Sequence, residues 1–139
     1  MDYTNQKYPF GTDFSVFSPI PDNPAGLLKY KAAFKELIKT EQNKIKAFHR
    51  SGAGGREVIQ AHTSLIDSVL CHLIKELAAT RKKNSPETLL EEFSLIAVGG
   101  YGRGELNPCS DIDLLFLTSK NIRRSTDLLI QDFLPILWD

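Results

Sequence analysis

The chain has 139 residues, of which 42% are hydrophobic and 24% are charged, a composition that is typical of one ordinary globular domain. Its 17 basic and 17 acidic residues cancel, so no net charge favours nucleic acid or an anionic membrane, and we expect neither as a partner. The sequence begins without a signal-peptide pattern and has no apolar run of membrane-spanning length, which leads us to expect a cytoplasmic protein.

The first half of the chain has the pattern of a helical hairpin. Residues 1–23 mix turn-forming and polar residues without periodicity, which predicts an irregular N-terminal segment. Pro24 lies at a typical early helical position, and apolar residues recur at helical spacing after it. The glycine-rich residues 51–55 end this helix, and a second wide apolar stripe follows. We therefore predict an antiparallel helical hairpin over residues 24–83, with Cys71 in its core.

The second half of the chain alternates between short apolar runs and loops. Residues 93–98 and 111–117 are predicted strands. A last helix is predicted from about Ser125, and Pro135 is expected to kink or shorten it. Two strands and one helix cannot cover both faces of a sheet. We therefore expect an α+β chain in which residues 91–139 form an incomplete α/β core, and we expect the chain to be an N-terminal fragment.

The loop between the two predicted strands carries an unusual number of glycines. It reads Gly-Gly-Tyr-Gly-Arg-Gly from Gly99 to Gly104. Glycines permit a sharp bend and let backbone N–H groups approach an anion, while Arg103 supplies a cation suited to phosphate oxygens. The spacing fits neither the dinucleotide fingerprint nor the P-loop. The pattern instead predicts a phosphate-binding loop in which Gly99, Gly100 and Arg103 contact a nucleotide.

Two acids, Asp111 and Asp113, precede the second apolar run. Side chains alternate along a strand, so acids two positions apart face the same side, roughly 7 Å apart. A carboxylate pair at the mouth of a buried strand is costly unless a cation compensates it, whereas a solvated strand end needs no compensation. Beside a phosphate-type loop, the pair predicts a metal site, and hard oxygen ligands favour Mg²⁺. Ser110 either donates a hydrogen bond to phosphate or caps the turn.

A family resemblance rests on these same residues. The glycine pair at Gly99, followed after ten residues by Asp111-Ile112-Asp113, resembles the signature of the polymerase-β-like nucleotidyltransferase superfamily. The longer string that continues to Leu115 resembles the family of bacterial bifunctional uridylyltransferase/uridylyl-removing enzymes, which modify the nitrogen-regulatory PII protein. The glutamine synthetase adenylyltransferases share a similar acidic core, but their glycine loop typically has a different pattern.

The resemblance implies a reaction and a role for each residue of the motif. Asp111 and Asp113 would be the catalytic pair and would bind two Mg²⁺ ions. Gly99, Gly100 and Arg103 would hold the triphosphate of UTP, and UMP would be transferred to a tyrosine of PII. A non-catalytic nucleotide-binding regulatory module of the same fold is the alternative, and a purely helical interaction fragment is a second one.

The resemblance also implies that a third carboxylate, on a later strand, completes the metal site. The acids that follow the motif are Asp127, Asp132 and Asp139, all in or beside the last predicted helix. None of them is a good candidate for a position on a strand. We therefore expect that this chain alone transfers no UMP.

Overall fold

The computed structural model describes residues 12–17, 19–84, 93–118 and 124–138. Residues 1–11, which belong to the predicted irregular segment, and Asp139, one of the acids considered for the metal site, lie outside this description.

Two long helices form the predicted hairpin. Helix α1 spans Pro24–Arg50 and begins where the side chain of Asn23 accepts a hydrogen bond of 2.7 Å from the N–H of Gly26. Helix α2 spans Gly55–Asn84. The Tyr30 hydroxyl, near the start of α1, lies 3.4 Å from Nε2 of His72, in the second half of α2, so the two helices run antiparallel.

Part of the segment before α1, which was predicted to be irregular, packs against the hairpin. Phe14 stacks on His72, with ring centroids 5.4 Å apart, and Phe17 meets Phe34 edge-on at 5.3 Å. Ile20 is buried in the same cluster. The sequence-based prediction missed this packing because contacts between distant aromatic residues leave no periodicity in the sequence.

Cys71 is exposed, so the prediction that it lies in the core is wrong. Its neighbours Leu70 and Leu73 occupy the buried stripe of α2 instead. A helix turns by about 100° per residue, so one position at the edge of an apolar stripe is enough to place a side chain in solvent.

A small antiparallel sheet follows the hairpin. Strand β1 spans Phe93–Ala97, strand β2 spans Leu114–Thr118, and Leu95 lies opposite Phe116. Within the described residues these are the two strands of the sheet. The architecture is therefore helix-rich α+β with an incomplete sheet, as predicted, although β2 begins three residues after the predicted start at residue 111.

A single helical turn, α3, spans Gly99–Gly102 between the strands. A last helix, α4, spans Arg124–Trp138 and packs on one face of the sheet. The ring of Phe116 meets that of Phe133 edge-on at 5.7 Å, and α4 also packs on α2. Pro135 lies inside α4 and does not end it, so of the two expected effects, a kink or a shorter helix, the kink stays a prediction. Proline has no N–H, so the carbonyl of Gln131, one turn before Pro135, lacks its usual helical donor, and only three residues of the helix follow Pro135.

The opposite face of the sheet is partly in solvent. Ile96, Leu115 and Leu117 alternate with the inward-facing residues and are 37%, 47% and 56% exposed. None of the described helices combines the length and the apolar character that a membrane span requires.

Candidate functional site

The chain leaves β1 through a bend that only glycine can form. Gly99 has a φ of +61°, and a Cβ atom there would lie 2.6 Å from Oδ2 of Asp113. A Cβ atom at Gly102 would lie 2.6 Å from the carbonyl oxygen of Ala97. Because the first position requires a left-handed backbone and both require the absence of a side chain, the glycines permit a tight turn that places the backbone next to a carboxylate.

This turn is a single turn of helix, α3, at Gly99–Gly102. The N–H of Gly102 donates to the Val98 carbonyl at 2.9 Å, and the N–H of Glu105 donates to the Gly100 carbonyl at 2.9 Å. The N–H groups at the start of a helical turn, here from Gly99 to Tyr101, have no carbonyl partner inside that turn. They are donors of the kind that binds phosphate oxygens.

Arg103 is held against the same loop. Its Nε donates to Oε2 of Glu105 at 3.0 Å, and a second guanidinium nitrogen donates to the Gly99 carbonyl at 3.0 Å. Glu105 therefore offsets part of the cation, and an anionic ligand at Arg103 has to share the guanidinium with that carboxylate. Both side chains are largely exposed, so this ion pair is a weak one.

Two hydrogen bonds to helix α2 hold the glycine loop in place. The hydroxyl of Tyr101, which is buried, donates to Oδ1 of Asp67 at 2.6 Å. The N–H of Leu106 donates to Oγ1 of Thr63 at 3.2 Å, and the side chain of Leu106 is 1% exposed. The middle of the glycine loop and the residue two positions after it are thus fixed to one helix of the hairpin.

His62 supplies a further contact to this loop. Its Nδ1 lies 3.2 Å from the carbonyl oxygen of Leu106. A carbonyl can only accept, so Nδ1 carries the proton in this contact. Burial lowers the pKa of His62, which favours the neutral ring. The sequence analysis assigned no role to this histidine, although a polar residue within the apolar stripe of α2 was a signal that could have found it.

The acid pair lies between the loop and β2. Asp111 and Asp113 are exposed, whereas Ile112 between them packs on the core, so the burial alternates as expected for extended chain. The argument that these carboxylates are costly because they are buried is therefore wrong. The prediction of a metal site therefore no longer rests on burial. It rests on the position of the two carboxylates, which both face the solvent beside the glycine turn.

One cleft of about 1040 Å³ brings the predicted residues together. It is lined by Arg56, Ile59, Gln60, Gly100, Tyr101, Arg103, Gly104, Glu105, Asn107, Ser110, Asp111 and Asp113. Gly99 does not line the cleft, but its lack of a side chain makes room for the carboxylate of Asp113. The sequence analysis missed the contribution of α2, because nothing local in the sequence connects that helix with a loop some 40 residues later.

Ser110 is engaged within its own turn. Its hydroxyl donates to the carbonyl oxygen of Asn107 at 2.9 Å, and its N–H donates to the same oxygen at 3.1 Å. A hydroxyl has one proton, so it cannot donate to a phosphate while it makes this bond. The arrangement is that of a turn cap, which sets the direction in which the chain enters Asp111.

The cleft offers oxygen ligands that suit Mg²⁺. Asp111 and Asp113 are solvent-accessible carboxylates in one cleft, and the lack of a side chain at Gly99 makes room for the carboxylate of Asp113. Asp127 and Asp132, on α4, do not line this cleft. Across the described part of the chain, no group of three or more His, Cys, Asp or Glu side chains comes together as a metal site.

Comparison with known proteins relates the chain to nucleotidyltransferases. Residues 74–135 match the protein-family model described as a nucleotidyltransferase domain. Proteins named bifunctional uridylyltransferase/uridylyl-removing enzyme are similar over most of the chain. The one from Ectopseudomonas mendocina is 34% identical over 108 residues, which are 78% of this chain and 11% of that protein.

Two further relatives bear the same name. The protein from Pseudomonas syringae pv. syringae is 36% identical over 108 residues, with the same shares of both chains. The protein from a Psychrobacter species is 31% identical over 129 residues, which are 90% of this chain and 13% of that protein. The chain thus spans little more than a tenth of the length of these relatives. No solved structure matches it significantly.

Proposed function

Since the chain carries a nucleotidyltransferase domain, we propose that its cleft binds UTP with Mg²⁺ and serves the transfer of UMP to a tyrosine of the nitrogen-regulatory PII protein. The names of its relatives support uridylyl transfer as the reaction class. PII as the acceptor, and a cytoplasmic location, belong to the same proposal through the resemblance of the Gly99–Leu115 string to that family.

The proposed roles of the residues follow from their positions. The N–H groups from Gly99 to Tyr101 and the guanidinium of Arg103 bind and orient the phosphates. Because these donors are fixed by the turn and by its contacts with α2, they need no rearrangement when negative charge develops on the leaving pyrophosphate. Ser110 acts through the turn cap, which directs the chain into Asp111.

Asp111 and Asp113 are the proposed ligands of Mg²⁺ and the proposed catalytic acids. Mg²⁺ held by these carboxylates would neutralise charge on the triphosphate and lower the pKa of an attacking hydroxyl. The two carboxylates also repel phosphate when no cation is present, so nucleotide binding should depend on the metal. The observation that carries the proposal is the meeting of these acids with the glycine loop in one cleft.

The hairpin belongs to this proposed site rather than to a separate unit. We predicted a division between a hairpin at residues 24–83 and a nucleotidyltransferase unit at residues 91–139. The family match already begins at residue 74, within α2, and α2 holds the glycine loop through Thr63 and Asp67. We propose that the two segments function as one body.

Binding of Mg·UTP to an Asp111→Asn/Asp113→Asn variant tests the proposal. Both side chains are exposed, so the fold should persist and the helical circular-dichroism signal should stay unchanged. We expect that titration calorimetry shows Mg²⁺-dependent UTP binding by the unsubstituted chain and none by the double variant.

The matched control removes two carboxylates elsewhere. Asp22→Asn/Glu36→Gln changes the net charge by the same amount at exposed positions that do not line the cleft. This variant should bind Mg·UTP as the unsubstituted chain does. Equal affinity of all three proteins would refute the proposed metal and nucleotide site.

A further inference from the structure

One stripe of α2 faces the glycine loop and the cleft along its length. Thr63 and Asp67 of this stripe hold the loop through hydrogen bonds. Arg56 and Gln60 precede them at the spacing of successive helical turns, on the same side of the helix, and both line the cleft. The anchoring contacts therefore fix where Arg56 lies relative to the loop.

Arg56 is the second cation of the cleft, and it differs from the first. The guanidinium of Arg103 is shared with Glu105 and with the Gly99 carbonyl. Arg56, in contrast, forms no hydrogen bond or ion pair with any described residue. Among the side chains that line the cleft, it is the cation that remains for an anionic ligand.

Helix stability does not explain an arginine at this position. Arg56 is the second residue of α2, where the helix dipole disfavours a positive charge and favours an acid such as Glu57 beside it. Its side chain is exposed, so it makes no core contact that would compensate. Neither the helix dipole nor core packing therefore accounts for a cation at this position.

We propose that Arg56 binds the triphosphate of the nucleotide, opposite the glycine loop. This inference rests on the proposed function, because it assigns a further phosphate-binding residue to the same cleft. The guanidinium donates to phosphate oxygens from the α2 side, while the loop N–H groups and Arg103 donate from the other. The ligand class is a nucleoside triphosphate or another polyphosphate, and the nucleoside makes no contribution to this contact.

The test compares Mg·UTP with inorganic tripolyphosphate in Mg²⁺, which keeps the charge and lacks the nucleoside. For the full 139-residue chain, Arg56→Gln should weaken both ligands by the same factor, about tenfold, as expected for the loss of a hydrogen bond to a charged group. Arg56→Lys should recover part of the affinity, because it restores the charge without the planar fork.

The control is Lys75→Gln, which removes one positive charge from an exposed position on the same helix, roughly 28 Å further along its axis at 1.5 Å per residue. It should leave both affinities unchanged. The thermal midpoint of Arg56→Gln should not fall, since the helix dipole favours the loss of this cation.

The outcomes separate this inference from the function on which it rests. Unchanged affinity of Arg56→Gln for both ligands, with normal binding by the unsubstituted chain, would overturn the role of Arg56 alone. Weaker binding of UTP with unchanged binding of tripolyphosphate would place Arg56 at the nucleoside and overturn the phosphate contact. Failure of the unsubstituted chain to bind Mg·UTP would overturn both proposals.

Discussion

The hydrogen bond between Tyr101 and Asp67 gives a sharp test of how the hairpin supports the site. Tyr101→Phe removes one hydroxyl and keeps the ring, so the buried packing of the side chain is retained. The lost contact is the bond of 2.6 Å from this hydroxyl to Oδ1 of Asp67. That length lies in the range of hydrogen bonds to a charged oxygen acceptor.

The size of the effect follows from the surroundings of the two groups. Hydrogen bonds to charged groups contribute about 1.5–3 kcal/mol to stability. Because Asp67 is exposed, water replaces the tyrosine hydroxyl as its partner in the variant, and the low end of that range applies. We expect the free energy of unfolding to fall by about 1.5 kcal/mol in Tyr101→Phe.

Urea denaturation of a double-mutant cycle measures this contact. Tyr101→Phe, Asp67→Ala and the double variant should give a coupling free energy of about 1 kcal/mol. Tyr30→Phe is the control, because the hydroxyl of this other buried tyrosine lies 3.4 Å from His72 and makes a much weaker contact. A coupling within about 0.3 kcal/mol of zero would refute the anchoring of the loop through Asp67.

Tyr101→Phe should also change how the stability of the protein depends on pH in the alkaline range. Burial, with Asp67 as the hydrogen-bond acceptor and a nearby negative charge, raises the pKa of Tyr101 above its ordinary value. The folded state then keeps the proton that the unfolded chain begins to lose near pH 10, so the stabilising contribution decreases as the pH rises above about 10. Tyr101→Phe should reduce this alkaline loss of stability.

Two further predictions concern acid pH and catalysis. Because burial lowers the pKa of His62, its contribution to the free energy of unfolding should be complete above about pH 6.5 and should be lost as the pH falls below that value. In urea titrations between about pH 7 and pH 5, His62→Gln should make the stability depend less on pH. An unchanged pH dependence would contradict this prediction. We also expect this chain alone to incorporate no labelled UMP into PII, because no group of three or more acidic, histidine or cysteine side chains forms a metal site among the described residues. Measurable transfer would show that another group completes the site.

The elements of the fold and the motif could be predicted because their causes are local. Helical spacing of apolar residues, with Pro24 at the start of α1, indicated the hairpin, and two short apolar runs indicated β1 and β2. The glycine positions were equally informative. The positive φ of Gly99 and the close contact of Gly102 with the carbonyl oxygen of Ala97 arise within one short stretch of backbone, and both disfavour a residue with a side chain.

The surroundings of the motif depended on contacts that local patterns do not contain. The exposure of Asp111 and Asp113 depends on which elements cover the start of β2. The exposure of Cys71 depends on which side of α2 packs against other elements. Phe14 and Phe17 find partners more than a dozen residues away, and no pattern in the N-terminal segment predicted this packing.

The α2 side of the site was decided by tertiary structure alone. Asp67 and Thr63 bind a loop that follows them by 34 and 43 residues, and these hydrogen bonds bring Arg56 to the cleft. A sequence pattern reports the side of a helix that is buried, because that side is apolar. It does not report which distant loop a polar side chain meets, since that depends on how the helices and the sheet pack together in three dimensions.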